Sequence, residues 1–162
     1  MSAEILLFRI DERLLHGQGH IWIRYCGANT VICANDKAAN DKIAQNLMKT
    51  MIDKSIAVSF YEIEKLINIF HKANPKQKFF IVVASTDDAL KLVEGKLPIK
   101  EINIGNLHNG EGKEKVTRSI YISEKDKENL RLLRDKYNIK FNTRTTPSGT
   151  DGAKEVDIND YI

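Results

Sequence analysis

Apolar residues in this chain gather in short runs, and most of the stretches between the runs carry apolar positions at helical spacing. Ile5-Leu6-Leu7-Phe8 predicts an opening strand. A charged turn follows, and Gly17 to about Tyr25 predicts a helix with Ile21, Trp22 and Tyr25 on one side, stopped by Gly27. Thr30 to Ala34 is a continuous apolar run, the pattern of a strand buried on both faces. Asn35-Asp36 can cap a helix running to about Met51, with Ile43, Leu47, Met48 and Met51 as its apolar stripe.

Ile56 to Phe60 predicts a third strand. Glu62 to Lys72 predicts a helix facing the core through Ile63, Leu66, Ile67 and Phe70 and ending before Asn74-Pro75. Phe79 to Ala84 is the strongest buried-strand signal. Ser85-Thr86-Asp87-Asp88 caps the next helix, which ends near Gly95. Ile102-Asn103-Ile104 predicts a fifth strand opening into a glycine-rich loop, Gly105 to Gly112. Val116 to Ile122 reads as one strand, and Ser123 to Asp126 as a capping box before a helix carrying Leu130, Leu133 and Tyr137. Ile139 to Thr143 predicts a last, more exposed strand. The tail from Thr145 has turn chemistry in Pro147, Gly149 and Gly152.

This alternation implies an α/β fold: an open, mainly parallel twisted sheet with helices on both faces. Ligands in such sheets sit beyond the carboxyl ends of the strands. That rule brings together Asp11 to Gly19, Asn35-Asp36, Ser85-Thr86 and Gly105 to His108. At 162 residues, one domain spanning 1–162 is expected. The net charge of +3 comes from bases spread among acids, which gives no nucleic-acid footprint. Cys26 and Cys33 lack metal-ligand spacing and read as reduced thiols of a cytoplasmic protein. No apolar run approaches the roughly 20 residues that span a bilayer.

The candidate chemistry lies in Arg9-Ile10-Asp11-Glu12-Arg13-Leu14-Leu15-His16-Gly17-Gln18-Gly19. Neutral imidazole is a good nucleophile near neutral pH, and arginine forks match phosphate oxygens. His16 stands beside a helix start, whose backbone amides favour anions. A lone histidine is more often a surface residue, but the two nearby arginines put a phosphoryl-carrying role ahead. Arg13 lies in the turn; Arg9 could sit in the strand and only brace Asp11. Asp11 could orient His16 or hold Arg13. Gly17 and Gln18 would supply support at the helix start. Ser85 and Thr86 are most simply caps, although either hydroxyl could donate to phosphate. Asn106 and His108 could meet substrate or partner, or belong to a solvated loop. His20 reads as helix packing and His71 as a helix-end residue. Gly17 to Gly19 with Asp36, 19 residues beyond Gly17, imitates a dinucleotide-binding fingerprint. Trp22 stands where the third glycine should be, so a nucleotide-binding module is the weaker alternative.

Residues Arg9 to Gln18 resemble the pattern R-[IV]-D-[DE]-R-L-[IL]-H-G-Q-V of the IIB component of the mannose/fructose/sorbose family of bacterial sugar phosphotransferase systems (PTS), agreeing at ten consecutive positions. Ala34-Asn35-Asp36, Asp88-Ala89-Leu90 and Ile102-Asn103-Ile104-Gly105 extend the likeness, which thins after Phe141. The resemblance implies a cytoplasmic phosphocarrier associated with the membrane through the IIC and IID proteins. It would take a phosphoryl group from a IIA protein or domain onto His16 Nδ1 and pass it to a sugar, with Asp11 and Arg13 in support and no cofactor or metal. Gly19 departs from the family's valine. Gly105-Asn106-Leu107-His108 looks more like the N-acetylgalactosamine and galactosamine branch than the mannose type. A regulatory phosphocarrier not tied to transport is the remaining alternative.

Overall fold

The computed structural model describes residues 3–149 and 155–162; Gly152, named above as a turn residue, lies outside them. Strands β1 (Glu4–Asp11), β2 (Thr30–Ala34), β3 (Ala57–Tyr61), β4 (Lys78–Val83), β5 (Glu101–Asn106) and β8 (Lys140–Asn142) form one parallel sheet in the order β3-β2-β4-β1-β5-β8. The stretch read as a single strand at Val116–Ile122 is instead a hairpin of β6 (Glu114–Thr117) and β7 (Ile120–Ile122). It is tied to the main sheet by the Leu107–Ile120 bridge.

From β1 the chain crosses to β2 and β3, then reverses: β4 fills the place between β2 and β1, and β5 and β8 lie on the other side of β1. Right-handed crossovers therefore put α1 (Gly19–Cys26), α2 (Asp36–Ala39) and α3 (Lys42–Lys49) on one face, and α4 (Ile63–Ile69), α5 (Thr86–Glu94) and α6 (Glu124–Asp135) on the other. Two hydrophobic cores follow. One joins Ile10, Ile81, Ile104, Leu66, Leu92 and Leu130; the other joins Val31, Cys33, Phe80 and Val82 to Trp22 and Ile23. The crossovers leaving β1 and β4 go to opposite faces, which opens a crevice between the carboxyl ends of these adjacent strands.

Local sequence accounts for the element ends. Gly27 takes a left-handed φ of 75° and closes α1. Ser123 and Asp126 form the capping box of α6. The predicted helix to Met51 is broken, because Asn35 caps α2 through Ala38 N and Asp41 caps α3 anew through Ala44 N. The apolar stripe is also split: Ile43 is 81% and Leu47 62% exposed and Met48 packs against the core on the α1 side, whereas Gln45 is buried and donates to the Ala38 carbonyl. Gly95 ends α5 with ordinary φ; its missing side chain makes room for Ile67, which a Cβ would meet at 2.6 Å.

Candidate functional site

The strand β1 runs further than its apolar run, so Arg9 and Asp11 are strand residues on the α1 face and Ile10 points into the opposite core. At the strand end, Leu14 N donates to the Asp11 carbonyl at 2.9 Å. Leu14 there takes φ 58°, which costs a residue with a Cβ about 1–2 kcal/mol. Buried Leu15 anchors the turn in the core beneath α1. The tight turn folds His16 back over the strand it has just left.

Asp11 is fully buried and is the hub of the site. Its Oδ1 accepts from Arg13 N at 2.9 Å and Arg13 Nε at 3.0 Å. Its Oδ2 accepts from Arg13 Nη2 at 3.0 Å, His16 Nε2 at 2.9 Å, and Arg9 Nη2 and Nε at 3.2 and 3.3 Å. Burial alone would raise the pKa of this carboxyl. The hydrogen bonds from His16 and Arg13 and the charge of Arg9 outweigh it, and the group is held well below the usual carboxylate range. Asp11 thus both orients His16 and holds Arg13, the two roles that the sequence left as alternatives.

An ionised Asp11 acts only as an acceptor, so the Nε2 facing it carries the proton. The lone pair of neutral His16 is then on Nδ1, which accepts from Gln18 N at 3.3 Å at the entrance to α1. One carboxylate against two guanidiniums leaves an excess positive charge beside that nitrogen. Arg13, 39% exposed along its side chain, can turn unused N–H groups outward. The arrangement suits a neutral nitrogen nucleophile receiving a multiply charged anion.

Arg9 is buried and braces Asp11 from within the sheet. Its guanidinium stacks over Trp22, with Cζ 4.8 Å from the ring centroid, and donates through Nη1 to Asn103 Oδ1. Arg9 and Asn103 are register partners across β1 and β5. Gly105 lets the guanidinium lie flat, since a Cβ there would come within 2.2 Å of Arg9 Cζ. Sequence reasoning missed Trp22 and Asn103 as site residues, and placed Gly105 at the strand ends without its role beside Arg9. The available signal was a polar residue at position two of a buried Ile-Asn-Ile strand.

The other candidates divide. Gly17 and Gln18 precede α1, which begins at Gly19, and the Gln18 side chain makes no cap. Thr86 is fully buried on the far face, donating to Asp126 Oδ1 at 2.6 Å and accepting from Asn129 Nδ2 at 3.0 Å, so its hydroxyl is not available to phosphate. Ser85, at the end of β4 beside β1, caps α5 through Asp88 N. Asn106 ends β5; its carbonyl accepts from Glu12 N, and its Oδ1 is buried without a partner. His108 pairs with Glu12 at 2.8 Å on the rim of the site, with Lys113 donating to the His108 carbonyl. His20 is exposed and turned back to the Gly17 carbonyl at 2.6 Å rather than packed in the helix. Exposed His71 lies in a 3-10 turn after α4, at the helix end where it was expected.

Two observations count against the dinucleotide alternative. Residues 12–18 separate β1 from α1, and Asp36, the would-be ribose ligand, accepts from Ile63 N at 2.9 Å. The thiols of Cys26 and Cys33 are free, and burial pushes that of Cys33 up to about 12. Among the described residues, no helix is long and apolar enough to cross a membrane, and no cluster of three or more His, Cys, Asp or Glu is placed to hold a metal.

Comparison with known proteins converges on one family. The family described as "PTS system sorbose subfamily IIB component" matches residues 5–160. The N-acetylgalactosamine-specific phosphotransferase enzyme IIB component 2 of Escherichia coli is 42% identical over 123 residues, covering 75% of this chain and 78% of that protein. The mannose-specific EIIAB component of the same organism is 28% identical over 131 residues, 78% of this chain but only 40% of that longer protein. Among solved structures, an N-acetylgalactosamine IIB component from Streptococcus pyogenes superposes with a TM-score of 0.94 at 51% identity, covering 98% of both chains. With the fold, the opening motif and nearly the whole length in agreement, this chain belongs to the sorbose subfamily of PTS IIB components, the phosphotransferases of sugar uptake.

Proposed function

We propose that the chain, acting as one domain over residues 1–162, carries a phosphoryl group on His16 Nδ1 between a IIA donor and N-acetylgalactosamine or a closely related amino sugar. The observation that carries this reading is the orientation of His16. Nε2 is fixed on Asp11 at 2.9 Å, and Nδ1 is turned to the start of α1. In the first step the P–N bond of the donor phosphohistidine breaks as the lone pair of His16 Nδ1 bonds to phosphorus. In the second the P–N electron pair returns to Nδ1 as a sugar hydroxyl oxygen bonds to phosphorus, and the hydroxyl proton is released to solvent.

Arg13 and the amides around Gln18 neutralise the oxygens in flight, while Asp11 keeps the imidazole in the reactive tautomer. Asn106, His108 and Ser85 border the position that a partner histidine or the sugar would take. The IIA donor is supported by the E. coli mannose-specific EIIAB relative, whose name joins A and B components and in which the matched region is a minor part of the chain. The amino-sugar assignment is supported by the N-acetylgalactosamine-specific relatives. The protein works in the cytoplasm and meets the membrane through IIC and IID proteins.

The test is phosphorylation of the purified protein by phosphoenolpyruvate, the general PTS proteins and a cognate IIA, read by intact mass. One acid-labile phosphate on the wild type and none on His16→Ala is expected. Phosphate on both, or on neither with a demonstrably active IIA, refutes the reading. Transfer to N-acetylgalactosamine in membranes containing the IIC and IID proteins, compared with mannose, tests the sugar.

A further inference from the structure

Arg9 is too deeply buried to touch a partner or a sugar, yet its position sets the surroundings of Asp11 Oδ2, the oxygen that holds His16. A guanidinium has five N–H groups and can settle against many acceptors. Here its place is fixed from three sides. Trp22 covers one face, Gly105 leaves room for the guanidinium beside it, and Asn103 Oδ1 takes the Nη1 donor, leaving the Nε/Nη2 edge for Asp11.

We propose that Asn103 is a positioning residue for phosphoryl transfer, acting through Arg9 on the Asp11–His16 pair. Asn103 is fully buried, and its hydrogen bonds go to Arg9, Asn142 and the Arg144 carbonyl, not to His16. Its amide orientation is fixed on both sides. The guanidinium offers only donors, so Oδ1 must face Arg9. Nδ2 donates to Asn142 Oδ1 and, at 3.2 Å, to the Arg144 carbonyl. Asn142 donates in turn to Glu101 Oε1 at 2.7 Å.

A polar chain therefore runs from β8 and the following segment, through Asn103 and Arg9, to the carboxylate that holds the histidine. An aliphatic residue between Ile102 and Ile104 would fill the same space without the desolvation cost of an amide, but it would leave a buried charged donor unpaired. What an aliphatic residue could not supply is an acceptor for Arg9 Nη1. With that acceptor gone, the guanidinium can shift to satisfy Nη1 elsewhere, and Asp11 Oδ2 keeps the Arg13 and His16 bonds but loses the brace from within the sheet.

The inference rests on the phosphotransfer reading above. It is tested by time courses of phosphorylation by phospho-IIA for wild type, Asn103→Ala, Gly105→Ala, Arg9→Ala and the Arg9→Ala/Asn103→Ala double variant. Asn103→Ala is expected to reach the same final phosphate per chain about 10- to 100-fold more slowly, the range for losing a hydrogen bond to a charged group. The IIA concentration giving half the maximal rate should not move, since Asn103 lies outside any docking surface. Gly105→Ala, which displaces the guanidinium while keeping every charge, should slow transfer in the same way and serves if Asn103→Ala does not fold. The double variant should be no slower than Arg9→Ala alone.

A wild-type rate in Asn103→Ala, a rate loss in the double variant equal to the product of the single losses, or a lowered plateau at unchanged rate would each overturn the inference. The last result would mean only that part of the protein is unfolded. Wild-type protein that takes no phosphate from active IIA would instead sink the phosphotransfer reading, and this inference with it.

Discussion

Replacing Asp11 by Asn keeps the shape of the hub and removes its charge, so it isolates what the carboxylate does. Arg13 is part exposed and can turn its charge to water, and its pair with Asp11 is worth no more than about 1 kcal/mol. Arg9 has no such exit. With Asp11 neutral, its charge is left buried against Trp22 and the Asn103 amide, the situation that costs about 3–5 kcal/mol when one partner of a buried pair is removed. Asp11→Asn should therefore lose about 3–5 kcal/mol at pH 7, and in a domain of this size its melting temperature should fall by about 10 °C.

The pH dependence follows from the sign of the shift. The folded protein holds the Asp11 pKa below the ordinary 3.8, so its stabilisation is complete above pH 4 and fades as pH falls towards the folded value. The gap between wild type and variant should then narrow below pH 4. Transfer should suffer as well, by roughly 10²- to 10⁴-fold, because an amide at position 11 can donate to Nε2 and drive the proton to Nδ1, as in the wrong-tautomer effect seen in serine proteases. Urea titrations at pH 7 and below pH 4, with phosphorylation time courses, make the measurement. A gap under 1 kcal/mol at pH 7, or one that stays constant into acid, would refute the account of Asp11 as an ionised hub.

Three further substitutions separate chemistry from architecture. Arg13→Ala should slow phosphorylation by roughly 10²-fold while changing stability by less than about 1 kcal/mol, measured by the same time course and a urea melt. Thr86→Val should cost about 1–3 kcal/mol, through the hydrogen bonds lost to Asp126 and Asn129, and leave transfer at the wild-type rate; slowed transfer at full occupancy would return Thr86 to the site. Gly95→Ala should destabilise by about 1–3 kcal/mol by pressing on Ile67, with no change in transfer, as checked by thermal melting.

The sheet and most of its helices were legible because buried parallel strands read as apolar runs and the helix caps carry their own chemistry, as at Asn35, Ser85 and Ser123. The opening motif placed His16, Asp11 and Arg13 together because they are close in sequence. Local periodicity could not show which way α3 faces. Ile43 and Leu47 have core-like chemistry but point outward, while the inward side is satisfied by Gln45 bonded to α2, a contact seven residues back in the chain. Nor could it choose between Ser85 and Thr86, since the decision lies in the docking of α6 about 40 residues later. Asn103 was hidden for the same reason: its meaning comes from a register partner in another strand.

The strand that bears the motif is also the one whose neighbours arrive late. β1 pairs with β4 and β5, and the bond from Arg9 to Asn103 closes a loop of 94 residues. Contacts so distant in sequence form slowly, because chain entropy must be given up before they return anything. As the polypeptide leaves the ribosome, His16 emerges early but cannot be armed: until the segment through β5 has emerged, Arg9 has no Asn103, and Asp11 lacks the counter-charge that Arg9 brings when held. On the phosphotransfer reading proposed above, the ability to accept phosphate thus depends on folding through β5, and a shorter nascent chain offers a IIA protein His16 beside an unbraced Asp11.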